Sequence, residues 1–153
     1  MNHQTIQQLI DRYISVSFSV NKKAETLIKG EIGSELTNDQ HYILRYIRNH
    51  VRCTSSELAD AFDVNKSAIT AIINRMAERG LIDRTRDPND RRVVYLTLTE
   101  EGSILYETCQ EKIELLVESI ITRFDQEEIT NFITTYEKLA QILIKKQKEE
   151  LGE

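Results

Sequence analysis

Between Thr54 and Leu98 the spacing of apolar residues changes period once, and that change restricts the fold more than any other feature of the chain. Upstream, Leu58, Ala59 and Phe62 share one spacing, and Ile69, Ile72, Ile73 and Met76 share another. Both recur every three or four residues, which places each set on one side of a helix. Gly80 is a natural stop for the second helix. Downstream, Val94, Leu96 and Leu98 alternate with Tyr95 and Thr97 at the two-residue period of a strand. Leu81 to Arg86 is the expected partner strand. The "DPND" between them (87–90) holds the only proline in the chain and has the composition of a turn. A short helix, a tight turn at Asp63-Val64-Asn65, a longer helix and a hairpin therefore follow one another directly, the order of a winged helix-turn-helix.

Capping signals divide the remainder. "TNDQ" (37–40), "TSSE" (54–57) and "DQEE" (125–128) have capping-box form, and Asn65 and Thr99 are good N-caps. Ile6, Leu9, Ile10, Tyr13 and Ile14 mark a first helix expected to run to about Lys29 and to be broken by "GEIGSE". A second helix carries Tyr42, Ile43, Tyr46 and Ile47. Two long helices close the chain, expected over 100–123 and 127–148. The expected fold class is mainly α: four helices, a two-stranded hairpin wing, then two long helices. The expected division is an N-terminal dimerisation helix and linker (1–36), a winged helix-turn-helix (37–99) and C-terminal dimerisation helices (100–153).

The net charge of −5 argues weakly against nucleic acid as a partner, but its distribution points the other way. Arg48 to Arg92 holds nine Lys/Arg against seven Asp/Glu, while the rest holds eleven against eighteen. Two cysteines, Cys53 and Cys109, are too few for a disulfide framework. With no signal-peptide pattern and no apolar run approaching the ~20 residues that span a membrane, the expected setting is a reduced cytoplasm. The three histidines form no ligand-spaced cluster, and the chain lacks CxxC, HExxH, G-x-S-x-G and phosphate-loop motifs. No enzyme activity, metal or cofactor is expected.

The helix from Lys66 carries the chemistry. Opposite its apolar side stand Lys66, Ser67, Thr70, Ala71 and Asn74, with Arg75 at the border. This face is small and rich in hydrogen-bonding groups, so it can approach closely. Asn can pair with the adenine edge, Ser or Thr with several bases, and Ala or a Thr methyl with a thymine methyl. A plain amphipathic helix with an uncharged outer face accounts for the same pattern. The hairpin adds Arg84, Arg86, Arg91 and Arg92, with Asp90 placed to hold the turn and fix an arginine rotamer. Guanidinium groups at such a tip suit a narrow, strongly negative minor groove; a solubilising loop is the alternative. Thr54, Ser55 and Ser56 open the third helix, where free N–H groups and hydroxyls suit a backbone phosphate, although capping alone also explains them.

The stretch "TSSELADAFDVNKSAITAIINRMAERGLIDRTRDPNDRRVVYLTLTEEG" (54–102) resembles the winged-helix core of the MarR family of bacterial transcriptional regulators. The wing signature D-x-R, here Asp90-Arg91-Arg92, runs into "LTLTEEG", and "LTNDQHYIL" (36–44) is similar to the family's second helix. The resemblance implies that Arg92 is the wing-tip arginine and Asp90 its orienting partner. It also implies an obligate homodimer on a pseudopalindromic operator. Most such proteins repress transcription, and many release DNA on binding phenolic or lipophilic compounds.

The residues themselves also ask for a second copy. Ile129, Phe132, Ile133, Tyr136, Leu139, Ala140 and Leu143 line one side of the last helix, and one small winged helix cannot cover both terminal stripes. For the switch, the family's peroxide-sensing branch carries its cysteine in the N-terminal helical region, where this chain has none. Its zinc-sensing branch has a histidine-rich fifth helix, and residues 100–123 contain no histidine. A small-molecule pocket lined by Tyr13, Tyr42, Tyr46 and Tyr106 is then the expected effector site, with core packing as the plainer account of those rings. Two alternatives remain: a thiol switch at Cys53, whose pKa a helix N-terminus would lower, and a winged helix that contacts protein without reading DNA.

Overall fold

The computed structural model describes residues 1–152. Their order is α1 (His3–Ile32), α2 (Asn38–Asn49), β1 (Cys53–Thr54), α3 (Ser55–Ala61), α4 (Lys66–Glu78), β2 (Ile82–Arg86), β3 (Val94–Leu98), α5 (Glu100–Ile121) and α6 (Gln126–Leu151). The class is mainly helical with one small antiparallel sheet, as expected.

Beyond small shifts at the ends of α5 and α6, three features differ from expectation. The first helix runs past Gly30 and stops at Gly33, whose φ of 66° suits glycine and whose N–H donates to the Lys29 carbonyl at 2.9 Å. Leu81 lies outside the strand, its N–H donating to the Met76 carbonyl at 3.0 Å to close α4. The wing belongs to a three-stranded sheet of order β1-β3-β2, with Cys53 opposite Leu96 and Thr54 opposite Tyr95. Two residues of β1 are too few to print an alternation in the sequence.

Capping follows the side-chain chemistry. Thr37 and Thr54 form full capping boxes with Gln40 and Glu57, while at Asp125 only the forward bond to Glu128 N–H forms. Thr99 joins three elements. Its hydroxyl donates to the Gly80 carbonyl at 2.6 Å and accepts from Gly102 N–H at 2.9 Å, and its own N–H donates to the Leu81 carbonyl at 3.1 Å. Gly102 fits there because a Cβ would lie 2.0 Å from the Leu81 oxygen.

Residues Met1–Ile113 and Glu114–Glu153 form two compact units, so α5 contributes to both. The first has a continuous core built from Ile32, Ile43, Leu44, Leu58, Ile69, Ile73, Met76 and Leu96, together with Tyr106 and Cys109 of α5. The N-terminal part of α1 contributes nothing to it, and Ile6, Leu9, Ile10, Tyr13 and Ile14 are exposed. In the second unit α6 buries no side chain, and Phe132, Ile133, Tyr136 and Leu143 stand open. Among the described residues no helix is long and apolar enough to cross a membrane.

Candidate nucleic-acid interface

Asn65 starts α4 by accepting from Ala68 N–H at 2.8 Å. Burial of Ile69, Ile73 and Met76 then fixes the helix rotation. Lys66, Ser67, Thr70, Ala71, Asn74 and Arg75 are left exposed, so the small polar face exists as one surface. Arg75 folds back along its own helix, its Nε donating to the Ala71 carbonyl at 3.4 Å.

The register of the hairpin sorts its arginines. Ile82 pairs with Leu98, Arg84 with Leu96 and Arg86 with Val94. Residues directly opposite one another share a face, so Arg84 and Arg86 lie on the side that carries buried Leu96. Neither is a tip residue. Arg84 Nη2 donates to Asn74 Oδ1 on α4, and Arg86 Nη1 donates to the Arg91 carbonyl at 3.3 Å. Only Arg91 and Arg92 stand on the loop.

That loop is held by two carboxylates. Asp87 Oδ1 accepts from the N–H groups of Asn89 (2.7 Å) and Asp90 (3.0 Å), an Asx-type turn. Its Oδ2 accepts from the Tyr95 hydroxyl at 2.9 Å. The Asn89 N–H first, and the Tyr95 hydroxyl next, hold the Asp87 carboxyl below its ordinary range. Asp90 in turn accepts from Arg92 through both its backbone N–H (3.0 Å) and its side chain, Nε to Oδ1 at 3.1 Å and Nη2 to Oδ2 at 3.2 Å. This bidentate grip lowers the Asp90 pKa and orients a guanidinium whose side chain is still 91% exposed. Arg52 stands over the Tyr95 ring, 5.8 Å from its centroid, and adopts a left-handed backbone with φ 59°. The sequence marks Asp87 only as the Asp-Pro start of the turn and Tyr95 only as a strand position alternating with Leu96, and nothing in it marks Arg52.

At the start of α3 the Thr54 hydroxyl accepts from Glu57 N–H at 3.2 Å and Thr54 N–H donates to Glu57 at 3.4 Å. Thr54 is thus spent on capping, while Ser55 is half-buried and Ser56 exposed.

The four tyrosines do not gather. Tyr106 is a core residue, its ring stacked on His41 at 5.4 Å with the Arg48 guanidinium 5.2 Å from its centroid. Tyr42 meets His41 edge-on at 5.8 Å, while Tyr46 stacks on His50 at 3.8 Å and Tyr13 stands exposed on α1. Within one chain Tyr42 and Tyr106 therefore share His41, while Tyr46 packs on His50 and Tyr13 stands on α1. The surroundings of Cys53 do not favour the thiol reading. The side chain is fully buried, and burial first and the Glu57 charge second push its thiol up to about 11, opposite to the lowering that a reactive cysteine needs. Cys109 is also buried and shifted upward by burial. Among the described residues no cluster of three His, Cys, Asp or Glu is arranged to hold a metal.

Comparison with known proteins agrees with this geometry. The MarR family model matches residues 36–94, from just before α2 to the first residue of β3. The HTH-type transcriptional regulator YwhA of Bacillus subtilis (strain 168) is 32% identical over 120 residues, 78% of this chain and 86% of its own length. The HTH-type transcriptional repressor MdtR of the same organism is 27% identical over 135 residues, covering 88% and 87% of the two chains. The crystal structure of Streptococcus pneumoniae FabT in complex with DNA matches at a TM-score of 0.75 and 25% identity, over 91% of this chain and 98% of that one. The winged helix with its Asp90–Arg92 tip, the near full-length relatives and the family match over its core together make this chain a member of the MarR family of winged-helix transcriptional regulators.

Proposed function

We propose that the chain is a cytoplasmic homodimeric repressor that binds a pseudopalindromic operator and releases it on binding a small lipophilic or phenolic effector. The observation that carries the DNA-reading part is the pairing of two surfaces in one unit. One is the exposed Ser67–Thr70–Ala71–Asn74 face of α4; the other is a wing tip on which Asp90 orients an exposed Arg92. In this reading α4 lies in the major groove, with Lys66 on the same face and Arg75 at its border. Arg92 enters the adjacent minor groove, Arg91 meets phosphate, and the first turn of α3 sits against the backbone. A second copy covers the open apolar faces of α1 and α6. MdtR is named a repressor and FabT was crystallised with DNA, and both support this reading. The effector part rests on the family resemblance alone.

The test is a salt titration of binding to two operators that differ only in their flanks, A·T-rich or G·C-rich. Arg92→Ala is expected to lose more affinity on the A·T-flanked duplex, where the minor groove is narrow. Arg91→Ala is expected to weaken both about equally and to lower the log–log salt slope by about 1. If Arg92→Ala binds both duplexes like wild type, the tip is a solubilising turn.

A further inference from the structure

Asn74 is the residue of α4 best suited to read a base edge, and Arg84 of the wing is bonded to it. A guanidinium has five donors and no acceptor. The amide must therefore turn its oxygen toward Arg84 and its NH2 away, whichever way the amide is assigned. This orientation matters because an unencumbered asparagine reads adenine with both ends, accepting from N6 and donating to N7. Here the accepting end already faces a cation. An adenine N6 amino group would have to take the oxygen's second lone pair with its own positive hydrogens crowded against the guanidinium. Guanine offers two acceptors, N7 and O6, on the same edge. The Asn74 NH2, with the unused N–H groups of Arg84 beside it, matches that edge.

The geometry points to an Asn74–Arg84 pair that selects guanine over adenine at one position of each half-site. Arg84 is the positioning residue, acting from β2 on a reader in α4. Its placement follows from strand register, since pairing with Leu96 puts it on the face beside α4. This inference rests on the proposed seating of α4 in the major groove.

The experiment selects bound duplexes from a randomised library with the full-length chain and sequences them, for wild type, Arg84→Met, Arg84→Lys and Asn74→Ala. Arg84 is exposed, so its variants keep the core intact. Wild type is expected to enrich guanine at one position per half-site. Arg84→Met frees the amide, and adenine should gain there by roughly tenfold relative to guanine, within the range of one bidentate contact. Arg84→Lys still donates to Oδ1 and should keep guanine. Asn74→Ala should lose discrimination at that position alone. The inference is overturned if wild type enriches adenine there, or if Arg84→Met weakens binding without changing the base ratio. A wild-type chain that enriches no motif at all overturns the groove reading itself, a result distinct from either.

Discussion

Replacing Gly102 by alanine tests how the wing is joined to the long fifth helix. The new Cβ would lie 2.0 Å from the Leu81 carbonyl oxygen and 2.9 Å from its carbon, where ordinary contact begins near 3.4 Å. More than 1 Å of backbone movement is needed. The carbonyl in the way is also the acceptor for Thr99 N–H at 3.1 Å. Overpacking costs about 1–3 kcal/mol, and weakening that hydrogen bond adds about 1 kcal/mol, for a total of about 2–4 kcal/mol. At this chain length that lowers Tm by roughly 5–15 °C. The assay is thermal unfolding followed by circular dichroism at one fixed protein concentration, because association shifts Tm. Gly30→Ala is the internal control. Gly30 lies inside α1 with nothing within 4 Å of its Cβ position, so alanine there should stabilise by up to about 1 kcal/mol. A Gly102→Ala protein that melts within a degree or two of wild type would refute the reasoning, since the carbonyl would then have moved at no cost.

Further outcomes follow from other contacts. Tyr95→Phe removes the hydroxyl that Asp87 accepts; the fold should persist while the preference for A·T-flanked operators shrinks toward that of Arg92→Ala, and an unchanged preference measured on paired duplexes would show that the wing does not need this tie. Wild type treated with an organic hydroperoxide should keep its DNA affinity because both thiols are buried and shifted upward; an affinity loss that the double variant Cys53→Ala, Cys109→Ala escapes would restore the thiol switch. Burial first, against a hydrogen bond donated to the Gln110 side chain and with help from the Arg45 charge, holds the His41 imidazole below its ordinary 6.5. The unfolded chain therefore takes up a proton that the folded chain refuses as pH falls through about 6.5. Tm should decline between pH 7 and 5, and a His41→Leu protein with the same decline would assign it to other groups.

The sequence made the hairpin and the helices legible because each announces itself locally. Asn65, Thr54 and Thr37 cap where their side-chain oxygens can reach the first-turn N–H groups. The alternation of Val94, Leu96 and Leu98 stands out against the helical spacing before it. Features that depend on cross-strand register are not legible in the same way. Arg84 and Arg92 read alike as wing arginines, yet pairing with Leu96 turns Arg84 toward α4 and the turn carries Arg92 to the tip. The same register places Tyr95 beside Arg52 and Asp87. Tyr106 and Tyr13 have similar spacing within their helices, but one is core and the other exposed, because only α5 at that point packs on α2 through His41. Cys53 precedes a helix start, which favours a thiolate, but its side chain enters the core beneath β3, and desolvation outweighs the helix end.

Two copies of this chain that read DNA through paired α4 helices impose their two-fold symmetry on the random duplexes that the wild-type protein retains. The retained sequences should share an inverted repeat whose half-sites are centred about 10 base pairs apart, one turn of the double helix, or a multiple of that spacing. A single unrepeated half-site, or retention with no enriched sequence, would contradict it.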